Sequence, residues 1–275
     1  MRHETIKIQV PGYKQNGKLY TYLQNYSASM PASEKRPLIL ICPGGGYYKV
    51  SGREGEPVAM QYLAMGYHAA ILDYSVAPEA EYPVALLQLA GAVKYLKEHA
   101  EEYHIDPEQI FVQGFSAGAH LAANLGVFWN QDFIRETFDG PGEMFRPAGM
   151  ILSYPVITSG EYAHHDSFKN LLGSRYETMK DELSLEKQVT KDTVPAFIWH
   201  TASDNLVPVE NSLLFFTALK KNGVPAELHI YPNGTHGLSL ANENTDDEEH
   251  NKVEEACQSW ISLAKTWLKG RCEVR

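Results

Sequence analysis

The sequence predicts a doubly wound α/β fold, a mostly parallel central sheet with helices on both faces. Three observations carry this. Short apolar runs alternate with longer segments of helical period along most of the chain. Several of those runs are apolar on successive residues, the pattern of strands buried on both faces. No internal repeat and no Pro- or Gly-rich linker divides the 275 residues, so a single domain over 1–275 is expected.

Taken in order, residues 1–30 read differently from the rest. Ile6, Ile8 and Val10 alternate with polar neighbours, and Leu19–Leu23 follows Asn16-Gly17, a turn signal, so an antiparallel edge hairpin is expected. Six strands are then predicted at Leu38–Cys42, His68–Leu72, Ile110–Gln113, Met150–Tyr154, Ala196–His200 and Glu227–Tyr231. Between them, Leu86, Leu89, Val93, Leu96 and Ala100 mark one face of a helix, and Val253, Cys257, Trp260, Ala264 and Trp267 mark another near the end. Residues 130–192 are polar apart from one strand and suit a small cap over the sheet. The acidic run Thr245–His250 reads as a solvated helix start, because carboxylates favour a helix N-terminus.

Composition narrows the partners. With 44% hydrophobic and 21% charged residues the chain is ordinary globular protein, which excludes wholesale disorder. No window approaches the roughly 18 consecutive apolar residues of a membrane span, and Met1–Val10 lacks the apolar core of a secretory signal, so a cytoplasmic protein is expected. A net charge of −10 disfavours nucleic acid, and no basic amphipathic segment suits anionic lipid. A small uncharged ligand fits better, and a homo-oligomer is left open. Cys42, Cys257 and Cys272 are too few for a disulfide framework and wrongly spaced for zinc; Cys42, in an apolar run, packs as a small hydrophobe.

The most informative stretch is Ile110–Asn124, which holds Gly114-Phe115-Ser116-Ala117-Gly118 directly after a buried-strand pattern and directly before a small-residue helical one. G-x-S-x-G in that context places a serine on a sharp strand-to-helix turn with Oγ out of the sheet. The helix starting beneath it turns free N–H groups towards developing negative charge. His120 lies inside that helix and is expected to pack rather than act as the base.

A serine hydroxyl needs a general base in contact with it, and the base needs an orienting acceptor. Asp204 follows the strand Ala196–His200 on a polar loop at the carboxyl end of the sheet, where sites in open α/β sheets are built. His236 follows the next strand, between Gly234 and Gly237, free to reach across. Their order, 88 residues after Ser116 and then 32 more, leaves room for the crossovers and a cap. Asp192 precedes its strand and falls at the wrong edge; His200 and His229 lie within strand patterns. His164-His165-Asp166 lacks a further ligand at metal-like spacing and reads as a polar cap loop, so no metal site is expected.

Strand Leu38–Cys42 runs into Pro43-Gly44-Gly45-Gly46-Tyr47-Tyr48. Consecutive glycines expose backbone N–H groups and allow a substrate oxygen close in, so Gly45, Gly46 and Ala117 are the candidate oxyanion donors. Phosphate cradling is the rival use of such a loop, but neither G-x-G-x-x-G nor a G-K-[ST] ending is present. Tyr47 and Tyr48 are candidate substrate contacts, as an acyl pocket or a platform for sugar rings. Arg53 could bind substrate or brace the glycine loop, and a structural ion pair is the expectation.

Together, Pro43–Tyr47, Gly114–Gly118, Asp204–Pro208 and His236-Gly237, in that order on those elements, resemble the α/β-hydrolase superfamily over nearly the whole chain. Within it they look like the small acetyl esterases and the acetyl-xylan and feruloyl esterases related to the hormone-sensitive-lipase-like group. Pro43 stands where the lipase-like branch usually carries His and looks typical of the acetyl-esterase branch. The resemblance implies a serine esterase that hydrolyses short acyl esters, acetyl above all, of small or carbohydrate alcohols, without metal or organic cofactor. Two rivals remain: a serine peptidase of the prolyl-oligopeptidase type, and a non-catalytic small-molecule receptor on the same fold.

Overall fold

The computed structural model describes residues 1–31 and 34–272. The elements follow as β1 (Arg2–Gln9), β2 (Asn16–Leu23), β3 (Arg36–Cys42), α1 (Glu56–Ala64), β4 (His68–Asp73), α2 (Val84–Glu98), α3 (Ala100–Tyr103), β5 (Ile105–Phe115), α4 (Ala117–Phe128) and α5 (Asp132–Phe138). Then come β6 (Met150–Ser153), α6 (His165–Leu172), α7 (Tyr176–Met179), β7 (Ala196–Thr201), α8 (Glu210–Lys221), β8 (Ala226–Tyr231) and α9 (Trp260–Cys272). One eight-stranded sheet runs β1-β2-β4-β3-β5-β6-β7-β8, antiparallel only at β1/β2 and β2/β4. The mostly parallel sheet and edge hairpin expected from the sequence are both present.

The unbroken apolar runs exist because each strand faces two layers. Leu38, Leu40 and Cys42 of β3 and Ile110 and Val112 of β5 point into one core with α2, α4 and α8. Ile39, Ile41, Phe111 and Phe115 point the other way, into a core with α1 and α9. Alternate residues on a pleated strand face opposite sides, so a strand covered twice has no polar face. Helix α2 turns Leu86, Leu89, Val93 and Leu96 inward, as their 3–4 spacing predicts.

Three local expectations fail, each for a stereochemical reason. The hairpin turns at Val10-Pro11-Gly12-Tyr13, not at Asn16-Gly17: Pro11 fixes one turn φ, Gly12 takes φ +83°, and Tyr13 N–H donates to Val10 O at 3.1 Å. Asn16 and Gly17 already pair with Gln9 and Ile8 in the ladder. The acidic run starts no helix. The Asp246 carboxylate instead accepts from the amides of Asp247 and Lys252, each at 3.0 Å, which closes a turn in place of helical bonds. The last helix therefore begins at Trp260, after a 3-10 turn over Glu255–Ser259, and Val253 lies outside it, exposed. Among the described residues no helix is long and apolar enough to cross a membrane.

Residues 155–192, between β6 and β7, rise over the carboxyl ends of the strands. They are tied down by Asn211 on α8. Its Oδ1 accepts from Ile157 and Thr158 N–H, and its Nδ2 donates to Tyr162 O.

The sharpest packing constraint lies between β5 and α4. A Cβ on Gly114 would fall 2.1 Å from Gly118 O, and one on Gly118 would fall 2.1 Å from Cys42 O and 2.3 Å from Pro43 O. Backbone thus touches backbone at both places, which only glycine permits. Gly118→Ala is expected to destabilise the protein by about 3 kcal/mol or more, since no side chain can yield; an unchanged urea midpoint would contradict this packing.

Candidate active site

Ser116 sits at φ 53°, ψ −119°, a conformation that costs roughly 1–3 kcal/mol for a residue with a Cβ. Four backbone hydrogen bonds hold it. Ser116 N–H donates to Ser153 O at 3.0 Å, and its carbonyl accepts from Ala119, His120 and Val156. The strained turn ends β5 and starts α4, and it puts the hydroxyl at the sheet's carboxyl edge beside the loop after β3.

His236 lies on the loop after β8. Its Nδ1 is 2.7 Å from Asp204 Oδ2 and its Nε2 is 2.7 Å from Ser116 Oγ. An ionised carboxylate only accepts, so Nδ1 carries the proton and donates to Asp204, leaving Nε2 to accept from the Ser116 hydroxyl. The three side chains selected from the sequence therefore form one hydrogen-bonded chain. Asp204 is buried at the end of β7. Burial by itself would raise its carboxyl, but hydrogen bonds from His200 and His236, the His236 charge and the Val207 amide hold it well below the usual carboxylate range. Its Oδ1 also accepts from Leu206 and Val207 N–H, each at 3.0 Å. It therefore stays ionised as a hydrogen-bond acceptor throughout the neutral range.

The glycine loop approaches from the other side. Gly45 and Gly46 take φ +130° and +62°, and a Cβ on Gly45 would fall 2.2 Å from Lys49 O. Among the described residues the amides of Gly45, Gly46 and Ala117 donate to no protein acceptor. The two glycines line a cavity of about 610 Å³ whose floor carries Ser116 and His236. Its far wall is α6, with His164, Asp166, Lys169 and Asn170 turned to the space, and Tyr48 and Leu206 supply the large apolar surfaces. The run His164-His165-Asp166 thus opens a helix at the cavity's edge. His164 Nδ1 pairs with Ser167 Oγ, and burial and the nearby His236 lower its basicity.

The two tyrosines part company. Tyr48 is exposed on the cavity, whereas Tyr47 is buried, outside the cavity lining, and so is not a substrate contact. Its φ of 59° turns the side chain inward, where its hydroxyl pairs with His120 Nδ1 at 2.9 Å. His120 Nε2–H in turn donates to Leu183 O at 2.9 Å, so this packed histidine ties the glycine loop to the cap. Arg53 makes no ion pair among the described residues. It donates to Gly237 O at 3.1 Å and to Thr245 O, because the bend at residues 237–245 presents carbonyls to its guanidinium.

Sequence reasoning missed Glu54 and Tyr154, and it placed His200 in the core or behind the site without naming its partner. His200 Nε2 lies 3.3 Å from Asp204 Oδ2, the oxygen that His236 also engages, and its Nδ1 pairs with Ser212 Oγ. Glu54 and Tyr154 form a buried pair at 2.6 Å beneath the glycine loop. The one available signal was position, and only for two of them: His200 and Tyr154 lie at the carboxyl ends of β7 and β6, whereas Glu54 sits eight residues beyond Gly46 with nothing to mark it.

The fold defines an α/β hydrolase domain, and its relatives and structural neighbours include proteins named as esterases and carboxylesterases. The chain belongs to the BD-FAE family, whose profile matches residues 26–219, and a dienelactone hydrolase family profile matches 175–269. It is 40% identical to endo-1,4-beta-xylanase B of Butyrivibrio fibrisolvens over 233 residues, 82% of this chain and 35% of that protein. It is 27% identical to an acetylxylan esterase of Xylanibacter ruminicola, over 84% of this chain and 46% of that one. The chain thus spans less than half the length of these two curated relatives. Among solved structures, an acetyl ester-xyloside bifunctional hydrolase from Caldicellulosiruptor lactoaceticus superposes with a TM-score of 0.85 at 35% identity, covering 98% of this chain and 96% of that one. The carboxylesterase Cest-2923 from Lactobacillus plantarum superposes at 0.86 with 28% identity, over 99% and 98%.

Burial pushes the His120 imidazole down to about 4, against the opposing hydrogen bond to Leu183 O; burial does the same to His68 on β4, also to about 4. In both cases the unfolded chain takes up a proton before the folded one. This stability is therefore complete above about pH 6.5 and is lost as pH falls towards 4. By pH 5 the loss is about 2 kcal/mol for His120 alone. Denaturant midpoints at pH 7 and pH 5 should fall accordingly, and equal midpoints would contradict neutral burial.

Proposed function

We propose that the chain hydrolyses short-chain acyl esters, acetyl esters first, of small polyhydroxylated alcohols such as sugars. Ser116 is the nucleophile, His236 the general base and Asp204 its orienting acceptor. The observation that carries this reading is the unbroken Ser116–His236–Asp204 relay beside a glycine loop at the floor of the cavity. Ser116 Oγ attacks the ester carbonyl carbon while His236 Nε2 takes its proton. Asp204 holds the ring tautomer and stabilises the imidazolium. The oxyanion is received by the Ala117 amide at the α4 N-terminus and by Gly45 or Gly46 N–H; removing one such donor typically costs about 10²–10³ in kcat. His236 then protonates the departing alcohol. Water repeats the sequence on the acyl-enzyme, releasing the acid and restoring the hydroxyl.

Substrate class follows from the walls. A long acyl chain needs a continuous apolar channel, whereas here Tyr48 and Leu206 share the lining with Lys49, Ser51, Arg53, His164, Asp166, Lys169 and Asn170. Such groups suit the hydroxyls of a sugar ring and leave apolar room only for a small acyl group. The acetylxylan esterase and acetyl ester-xyloside hydrolase relatives support the same reading. In this view residues 1–275 act as one catalytic domain with 155–192 as its cap.

Ser116→Ala should reduce hydrolysis of p-nitrophenyl acetate to background, and Asp204→Asn should lower kcat by about 10³–10⁴-fold by stabilising the wrong ring tautomer. In a panel of p-nitrophenyl esters, acetylated xylo-oligosaccharides and aminoacyl-proline amides, kcat/KM should be greatest for acetyl esters and fall with acyl length. Preference for the amides would establish the peptidase reading instead, and no turnover of any member would favour the receptor.

A further inference from the structure

Glu54 is buried directly beneath the candidate oxyanion loop, yet among the described residues no cation pairs with it. Its two oxygens are occupied by neutral donors from two different directions. Oε2 accepts from the Gly44 amide at 2.8 Å, and Oε1 accepts from the Tyr154 hydroxyl at 2.6 Å. Tyr154 passes the connection on, because its oxygen accepts from the Ser239 amide at 2.9 Å, three residues beyond His236. The Tyr154 ring also lies edge-on to the His236 ring, with centroids 5.0 Å apart. The neighbouring residue reinforces the bridge. The Arg53 guanidinium donates to Gly237 O, and the Arg53 carbonyl accepts from Ser239 Oγ at 2.7 Å.

From this geometry we infer that Glu54 is a positioning residue, a buried carboxylate that fixes the glycine loop and the His236 loop at one mutual distance, so that oxyanion donors and base reach the same carbonyl together. The proposal rests on the assignment of Ser116, His236 and the glycine amides made above. Its physical basis is that Glu54, buried at the cavity's edge, takes up the Gly44 N–H, while Gly45 and Gly46, whose amides stay unengaged among the described residues, line the cavity. A buried carboxylate is expensive unless its oxygens are satisfied, so this one resists any loop movement that would break either bond.

Glu54→Gln tests this with little change in shape. A carboxamide has one acceptor oxygen and one NH₂, so it must face either Gly44 N–H or the Tyr154 hydroxyl with a donor. If the NH₂ faces Tyr154, the phenol proton that Glu54 accepted is left without its acceptor; if it faces Gly44, that N–H is. With kcat expressed per site titrated by a fluorophosphonate, Glu54→Gln should lower kcat on p-nitrophenyl acetate about 10–100-fold with KM within about twofold, the range of a lost or misplaced oxyanion donor. Inhibition by a trifluoromethyl ketone, whose oxyanion occupies the same place, should weaken in parallel. A residue that merely stabilised the fold would lower the melting temperature and the number of titrated sites but leave both readouts unchanged. That result overturns the proposal. If Glu54→Gln does not accumulate as folded protein, Tyr154→Phe decides: a fall in kcat per site with weakened ketone binding supports the bridge, and kcat within twofold of wild type refutes it. Ser116→Ala, run alongside, separates the levels. Retained turnover there removes the site assignment itself, whereas an inactive Ser116→Ala with a normal Glu54→Gln removes only this inference.

Discussion

The site depends on one steric constraint, the contact of backbone with backbone where β5 turns into α4. Gly114 lies against Gly118, and Gly118 against the carbonyls of Cys42 and Pro43, at distances that exclude any Cβ. That contact draws α4 onto the end of β3. It brings the Pro43–Gly46 loop and the Ser116 turn side by side and forces Ser116 to φ 53°. The strain is borne by the four hydrogen bonds to Ser153, Val156, Ala119 and His120 and by two packed cores on either side of the sheet. Without the close approach, the Ser116 hydroxyl would not stand out from the sheet beside open amides.

Around that turn, polar groups are buried only where partners saturate them. Asp204 accepts from two amides and approaches two imidazoles, which keeps its charge in a site where burial alone would neutralise it. Both Glu54 oxygens accept from neutral donors, the Gly44 amide and the Tyr154 hydroxyl. The histidines divide by environment. His120, sealed between Tyr47 and Leu183, is held neutral as a structural tie, while His236 keeps one face to the cavity. Chemical role thus follows from what each side chain touches rather than from residue type.

The parts legible in the sequence are those whose physics is local or periodic. Strands such as Leu38–Cys42 announced themselves because burial on two faces leaves no polar alternation, and the elbow because G-x-S-x-G reports its own steric demand. Asp204 and His236 could be chosen from chain order, since crossover connections return each strand's end to the same edge. What escaped depended on distant contacts. Whether Tyr47 faces the cavity or His120 is decided by a positive φ at a non-glycine residue, which composition does not reveal. The partners of Arg53 are carbonyls almost 200 positions away rather than the ion-pair partner expected from the sequence. Glu54, Tyr154 and His200 carry no motif, and their places emerge only once three loops are folded together. Asn16-Gly17 lost to Pro11-Gly12 because both are turn signals and the register of β1 with β2 selects between them.

The central claim is that the Ser116 hydroxyl is activated by contact with His236. It is tested most directly by intact-mass and peptide mapping after reaction with a fluorophosphonate. The account predicts one adduct per chain, on the peptide containing Ser116, forming at least about a hundredfold more slowly in His236→Ala. An adduct on another residue, or equal labelling rates in the two proteins, would contradict it.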